Sequence, residues 1–182
     1  MITIFNNLFK KKKKKLGLAL GSGGAKGMAH VGILRAFDEE GISFDCVAGT
    51  SIGSVIGAMY AAGYSSASMI KYLDELDFFA AQTIVKLTLT GKSVEDIFGD
   101  VIGGSSFEDL LIPFAAVATD LKTGDEVVIK SGSVAKAMRA SSAIPPVLKP
   151  ASVDGKVLID GAYVNSVPSD VVKNMGADIV IG

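Results

Sequence analysis

The amino-acid sequence predicts an α/β domain in which helices cover both faces of a mostly parallel central sheet. Two early segments each combine an apolar strand, a glycine-rich turn and a helix, and this alternation is typical of parallel sheets. The 182 residues are 49% hydrophobic and 20% charged, a balance found in folded α/β proteins of one domain. We therefore predict one folded unit, which follows a short N-terminal tail.

The first strand–turn–helix unit occupies residues 16–41. An apolar run at 16–20 predicts a strand, which ends at the glycine loop that begins with Gly21. A helix follows, because apolar residues recur at helical spacing. They are Met28, Val31, Leu34 and Phe37. Gly41 then ends the helix, as glycine commonly does.

The second unit repeats this order. Residues 44–48 predict a strand, and Gly-Thr-Ser-Ile-Gly at 49–53 leads directly into a helix of small residues at 54–62. Residues 66–100 show helical periodicity with interruptions, so helices are predicted there.

The second half of the chain adds strands and two further helices. Residues 114–119 predict a strand, 127–130 predict its neighbour, and a turn at 123–125 joins them. Ser133 is predicted to cap a helix that runs to Arg139.

The last part of the chain begins with a hairpin signal, Asp154-Gly155, which predicts flanking strands at 147–151 and 157–159. A helix at 169–174 and a strand at 178–181 follow. Because the chain stops within a predicted core strand and natural termini are usually exposed, we expect a C-terminal part beyond Gly182.

Composition excludes several classes of function. Lys+Arg 18 against Asp+Glu 19 gives a net charge of -1, which offers no general attraction for nucleic acid. The single cysteine, Cys46, can form no intrachain disulfide and lacks the partners of a metal cluster. We therefore expect a cytoplasmic protein with no nucleic-acid partner, no metal and no redox chemistry.

The first fifteen residues form a basic tail, and the domain is predicted to occupy residues 16–182. Six lysines, Lys10 to Lys15, follow a short apolar segment, the reverse of the order in a signal peptide. No run reaches the roughly 18 apolar residues that span a bilayer. The tail predicts peripheral contact with an anionic membrane at its inner face. A disordered solubilising extension is the alternative.

A candidate nucleophile lies in the second turn, where Gly49 to Gly53 match the pattern G-x-S-x-G around Ser51. A nucleophilic serine projects from a sharp strand-to-helix turn, and the flanking glycines let helix and strand approach closely. The helix N-terminus also brings a positive dipole end to the reacting centre. The alternative is a glycine-rich turn without chemistry.

The base that accepts the Ser51 proton is not predicted to be the histidine of a Ser-His-Asp triad. The chain has one histidine, His30, and it lies in the first helix, whereas the α/β-hydrolase order places the histidine after the acid. We predict that His30 is structural and packs beneath the glycine loop. A carboxylate must then take the serine proton.

Two aspartates follow predicted strands, at the sheet edge where ligands of α/β proteins bind. Asp160 follows the apolar residues 157–159, and Asp120 follows 114–119. An aspartate is a weak base unless its site is desolvated, and the run before Asp160 supplies such surroundings. Spacing favours Asp160 as the base, with Asp120 as the alternative base. A turn without a catalytic role at Asp160-Gly161 is the other alternative.

The glycine loop at 21–27 follows a strand and opens a helix, so its N–H groups can converge on an anion. A dinucleotide site requires glycine where Lys26 stands, and a Walker loop requires serine or threonine where Gly27 stands. An oxyanion hole for an acyl intermediate is the remaining interpretation. The predicted donors are the N–H groups of Gly23, Gly24 and Ala25.

Together, the glycine loop, the G-x-S-x-G turn and Asp160-Gly161-Ala162 resemble the ordered motifs of patatin-like phospholipases. Further similarity at 29–34 and 118–121 looks like the small bacterial members, and the resemblance covers residues 16–182. The residues that carry it, besides Ser51, Asp160 and the predicted donors, are Gly21, Lys26, Gly27, Gly49, Gly53, Gly161 and Ala162.

The resemblance implies a three-layer α/β/α fold and a dyad in which Ser51 is the nucleophile and Asp160 the base. It also implies hydrolysis of lipid acyl esters, of the phospholipase A, lysophospholipase or esterase type, without cofactor or metal. A catalytically silent lipid- or partner-binding domain on the same scaffold is the main alternative. Four residues are candidates either for acyl-chain contact or for core packing: Met28, Ile52, Met59 and Tyr60.

Overall fold

The computed structural model describes residues 14–75 and 93–182. Within them seven strands form one sheet. The strands are β1 (Leu16–Leu20), β2 (Cys46–Thr50), β3 (Phe114–Asp120), β4 (Glu126–Ile129), β5 (Ala151–Val153), β6 (Lys156–Asp160) and β7 (Ile179–Ile181). The α-helices are α1 (Met28–Glu39), α2 (Ile52–Ala61), α3 (Ser66–Glu75), α4 (Val94–Val101), α5 (Val134–Ser141) and α6 (Ser169–Asn174).

The predicted α/β class is confirmed, and the sheet is mixed. Strands β7, β1, β2 and β3 are neighbours in this order and all run parallel. The antiparallel pairs are β3 with β4, β3 with β6 and β5 with β6. The parallel part is built from the two strand–turn–helix units that the sequence predicted, because a crossover helix returns the chain in the same direction.

Both faces of the sheet are covered, because successive side chains of a strand point to opposite faces. On one face Leu18, Leu20 and Val47 belong to the larger core, to which helices α1, α2, α4 and α5 contribute. On the other face the alternate residues Ala19 and Ala48 pack with residues of α6. The result is the predicted order of helices, sheet and helix.

The pairing along β3 brings two strand ends together. Strand β4 pairs with residues 116–119 of β3, β2 with 114–117 and β6 with 118–120. Since β4 shares positions with both, β2 and β6 must lie one after the other on the opposite edge of β3. β2 runs parallel and β6 antiparallel to β3, so their carboxyl ends meet. Thr50 pairs with Val117, and Asp160 pairs with the next residue, Ala118.

The hairpin before Asp160 differs from its prediction. The turn at Asp154-Gly155 is present, with positive φ at both residues (49° and 76°), but its first strand is β5 rather than 147–151. Residues 147–150 contain a turn and belong to no strand. Pro146 precedes this segment and Pro150 ends it. Because Pro150 offers no N–H to a ladder, pairing starts only at Ala151.

Several predictions concern residues outside those that the structure describes. They include the tail at 1–13, with Lys10 to Lys13 of the lysine run, and the central part of the helical region 66–100. None of the helices within residues 14–75 and 93–182 is long and apolar enough to cross a membrane.

Candidate active site

Ser51 lies at a strained turn between β2 and α2. Its backbone angles are φ 56° and ψ -126°, a conformation that costs a non-glycine residue about 1–3 kcal/mol and is typical of functional sites. The turn is closed by Ser54, whose N–H and hydroxyl both donate to the Ser51 carbonyl, at 2.8 and 2.6 Å. Ser51 is 2% exposed, so its surroundings are largely free of water.

Gly49 and Gly53 permit the backbone contacts that make this turn possible. A Cβ on Gly49 would lie 2.2 Å from the carbonyl oxygen of Gly53, and one on Gly53 would lie 2.1 Å from that of Leu20. Both distances are far below ordinary contact, and both involve backbone that cannot move aside. Steric contact with the backbone therefore requires glycine at both positions of the motif, as the sequence predicts.

Ser141, the last residue of α5, forms hydrogen bonds that hold this turn in place. Its hydroxyl accepts a hydrogen bond from the Ser51 N–H at 2.9 Å and donates one to the Val117 carbonyl at 2.6 Å. Ser141 therefore couples the nucleophile turn to β3. Ser141 was not predicted from the sequence, because a serine near a helix end carries no signal of a contact with residue 51.

Asp160 ends β6 and is 1% exposed. Its Oδ1 accepts a hydrogen bond from the Ala162 N–H at 2.8 Å, whereas the buried Oδ2 has no hydrogen-bond partner within residues 14–75 and 93–182. Desolvation by burial raises the pKa of this carboxyl, against the opposing effects of the nearby Ser51 hydroxyl and the Ala162 N–H. The Ser51 hydroxyl therefore favours the charged form of Asp160, whereas burial disfavours it.

The other two residues considered as bases have different surroundings. Asp120 accepts the Lys122 N–H at 2.9 Å and helps to close the turn after β3. His30 lies 2.9 Å from the Gly21 carbonyl through Nε2. Because a carbonyl can only accept, this nitrogen carries the proton. The contact agrees with the predicted structural role of His30 beneath the glycine loop.

The glycine loop packs against the N-terminus of α2, directly beside Ser51. A Cβ on Gly27 would lie 2.3 Å from the Ile52 side chain, and Gly24 has a φ of 55°. Within the residues described, the N–H groups of the predicted donors have no hydrogen-bond acceptor. These donors are Gly23, Gly24 and Ala25. Unpaired N–H groups at a helix N-terminus favour an anion.

A cavity of about 210 Å³ opens beside Ser51. Apart from Ser51 and Ser142, its lining is apolar. The lining residues that the structure describes are Ser51, Ile52, Val55, Val94, Phe98, Ser142, Ile144, Val147 and Leu148. Ile52 thus lines the cavity, the position expected of a residue that contacts an acyl chain. Met28 is 41% exposed and Met59 is fully buried in the core.

No group of three or more His, Cys, Asp or Glu side chains within residues 14–75 and 93–182 could hold a metal ion. Cys46 is buried in β2 with a free thiol. Burial and the neighbouring Asp45 carboxylate raise the pKa of this thiol above its ordinary value. The thiolate is therefore disfavoured.

The fold and this turn define an α/β protein in which a serine lies at a sharp turn between a strand and a helix. The model of the family described as "Patatin-like phospholipase" matches residues 18–173, so the chain belongs to the patatin-like phospholipase family, a family of lipid hydrolases. An uncharacterized NTE family protein of Mycobacterium tuberculosis is 37% identical over an alignment of 180 residues that covers 92% of this chain and 48% of the relative.

More distant relatives agree with this assignment. Patatin-like phospholipase domain-containing protein 6 of Homo sapiens is 36% identical over 183 residues, covering 91% of this chain and 13% of that protein. The crystal structure of VipD from Legionella pneumophila matches 82% of this chain and 46% of its own, with a TM-score of 0.56 and 16% identity. At that identity the likeness shows the fold alone. The chain spans less than half the length of these relatives.

Proposed function

We propose that residues 16–182 form a serine acyl-hydrolase that cleaves lipid acyl esters of the phospholipase A, lysophospholipase or esterase type. In this proposal Ser51 is the nucleophile and Asp160 the base. The observation that carries it is the buried Asp160 carboxyl at the strained Ser51 turn: within the described residues its Oδ2 has no hydrogen-bond partner, and the Ser51 hydroxyl lowers its pKa. A carboxylate oxygen in such surroundings can accept the proton of the serine hydroxyl.

The reaction would proceed in two halves. Asp160 accepts the Ser51 proton while the hydroxyl oxygen attacks the ester carbonyl carbon, and the N–H groups of Gly23, Gly24 and Ala25 stabilise the oxyanion. Collapse of the intermediate expels the alcohol, which takes the proton from Asp160, and leaves an acyl-enzyme. Water then gives a proton to Asp160 and attacks the acyl-enzyme carbonyl. As the bond to Ser51 breaks and the fatty acid leaves, Asp160 returns this proton to the Ser51 oxygen, which regenerates the free enzyme.

The cavity supports a lipid substrate. Among the described residues that line it, only Ser51 and Ser142 are polar, and Ser51 is the proposed nucleophile. A volume of about 210 Å³ is smaller than the ~300–1,000 Å³ of sites that enclose whole small molecules. We therefore propose that it holds an acyl chain, while the head group stays outside.

Labelling with a fluorophosphonate tests the proposal. We expect the wild-type chain to be labelled and to hydrolyse short p-nitrophenyl esters, and Ser51→Ala to do neither, because it lacks the attacking oxygen. His30→Gln is the matched control: glutamine keeps an N–H near the position of Nε2, so the variant should stay active. An inactive but folded His30→Gln would contradict the dyad and require a histidine base.

The same labelling separates the enzyme from the second candidate function. A catalytically silent lipid- or partner-binding domain has the cavity and the fold but no reactive serine. Absence of label on a folded wild-type protein would therefore favour binding over hydrolysis.

We further propose a cytoplasmic protein that touches the inner face of an anionic membrane through Lys10 to Lys15. Each lysine near such a surface contributes about 1 kcal/mol, and this attraction weakens with salt. Vesicles with anionic lipid should retain the full chain at low ionic strength, release it as salt rises, and fail to retain a variant without residues 1–15. Equal retention of both proteins would show instead that the tail is a solubilising extension.

A further inference from the structure

Two residues at the C-terminal end of α5, Ser141 and Ala143, contact the two members of the proposed dyad. The Ser141 hydroxyl accepts the N–H of Ser51 at 2.9 Å, and the Ala143 carbonyl accepts the N–H of Asp160 at 2.9 Å. Ser142 lies between these two contacts. The backbone around Ser142 is also held, because its N–H donates to Met138 and its carbonyl accepts from Ile144, both at 3.0 Å. The position of Ser142 is therefore tied to Ser51 and Asp160.

The side chain of Ser142 differs from its backbone in this respect. Its hydroxyl is buried and, among the residues that the structure describes, pairs with no donor or acceptor. Ser142 also lines the same cavity as Ser51. A buried hydroxyl without a partner destabilises a folded protein, so its occurrence in the wall of a candidate site indicates a partner that arrives with the ligand.

The ligand's polar group must lie near this hydroxyl. For attack, an ester carbonyl carbon has to approach the Ser51 oxygen to about 3–3.5 Å, so the ester is at the serine end of the cavity and the hydrocarbon contacts the apolar wall. Ile144, Val147 and Leu148 belong to that wall and offer no polar side-chain atom. Ser142 is the described lining residue, other than Ser51, whose side chain can hydrogen-bond the ester.

We propose that Ser142 is a substrate-binding residue whose hydroxyl donates a hydrogen bond to an ester oxygen of the bound acyl ester. The inference rests on the proposed function and adds to it a third side chain that touches the substrate. It also assigns different roles to two adjacent serines. Ser141 positions the nucleophile through the backbone, whereas Ser142 binds the ester.

The test uses the full chain and its Ser142→Ala variant with p-nitrophenyl acetate, butyrate and octanoate. We expect kcat/KM to fall about tenfold, the usual effect of one lost hydrogen bond to a neutral group. The factor should be the same for all three esters, because the contact is at the ester and not along the chain. The thermal midpoint of Ser142→Ala should equal or exceed that of wild type, since the variant loses an unpaired buried hydroxyl.

Ser141→Ala is the matched comparison. Its hydroxyl has two partners in the folded protein, so its removal should lower the thermal midpoint as well as activity. The opposite direction of the two stability changes distinguishes the binding role of Ser142 from a structural one.

Three results would overturn the inference while leaving the proposed function intact: an unchanged kcat/KM in Ser142→Ala, a loss that grows with chain length, or a loss that accompanies a lower thermal midpoint. Each requires that wild type be labelled at Ser51 and hydrolyse the esters. A wild-type protein that does neither would overturn the proposed function, and this inference with it.

Discussion

Asp160→Asn is expected to abolish ester hydrolysis and, at neutral pH, to make the folded protein more stable. Activity should fall by about a thousandfold or more, because the amide cannot accept the Ser51 proton, and loss of one member of a catalytic unit has effects of that size. The asparagine Oδ1 can keep the bond from the Ala162 N–H, and its amide nitrogen would occupy the position of the unpaired Oδ2. Initial rates with a p-nitrophenyl ester measure the first effect.

The stability effect follows from the raised pKa of Asp160. Burial disfavours the charged carboxylate in the folded state, so this group favours folding below the pKa of an unfolded aspartate, roughly 3.9. That contribution is lost as pH rises through the folded-state pKa. The free energy of unfolding, measured with urea, should therefore be higher for Asp160→Asn than for wild type at pH 7. The difference should shrink as pH falls toward 4. For the same reason, the acidic limb of kcat/KM should lie above the pH at which an exposed aspartate titrates.

Asp120→Asn is the matched control for this prediction. Asp120 is also a buried aspartate (8% exposed) at the end of a strand, but its carboxylate bonds to the Lys122 N–H, a contact that asparagine can retain. We expect near-normal activity. Loss of activity in Asp120→Asn, with an active Asp160→Asn, would identify Asp120 as the base instead.

Gly53→Ala is expected to have the largest effect on folding. The added Cβ would lie 2.1 Å from the Leu20 carbonyl oxygen and 2.6 Å from that of Gly21. Because α2 and β1 would have to separate, we expect a loss of about 3 kcal/mol or more in the free energy of unfolding. Any folded fraction should be poorly labelled by fluorophosphonate, since the same shift displaces Ser51 from the glycine loop. Urea unfolding and labelling measure the two effects.

Gly32→Ala provides the comparison for this substitution. Gly32 lies in α1, and a Cβ there would meet nothing within 4 Å. Alanine has the higher helix propensity, by about 1 kcal/mol, so this variant should be as stable as wild type or more so. Comparable losses in both variants would mean that the close approach at Gly53 is not the cause.

Local patterns were sufficient for most of the elements. The predicted helix at 169–174 is α6, and Ser133 accepts a hydrogen bond from the Lys136 N–H as the N-cap of α5. These predictions succeed because periodicity and capping act within a few residues of the chain. The start of β5 was predicted wrongly because a strand begins where a pairing partner is available. Ala151 pairs with Leu158, and periodicity within the chain does not reveal this pairing.

The α/β class, the turn that contains Ser51 and the glycine loop could be predicted from local sequence, and the single histidine predicted a carboxylate base. Each prediction depends on residue type at short spacing or on a count. Which aspartate lies near Ser51 could not be predicted in this way, because it depends on β2 and β6 sharing one edge of β3. The surroundings of Ser141 and Ser142 likewise depend on tertiary packing. Their identical side chains have different surroundings, because neighbouring residues at a helix end point in different directions and only packing supplies or withholds a hydrogen-bond partner.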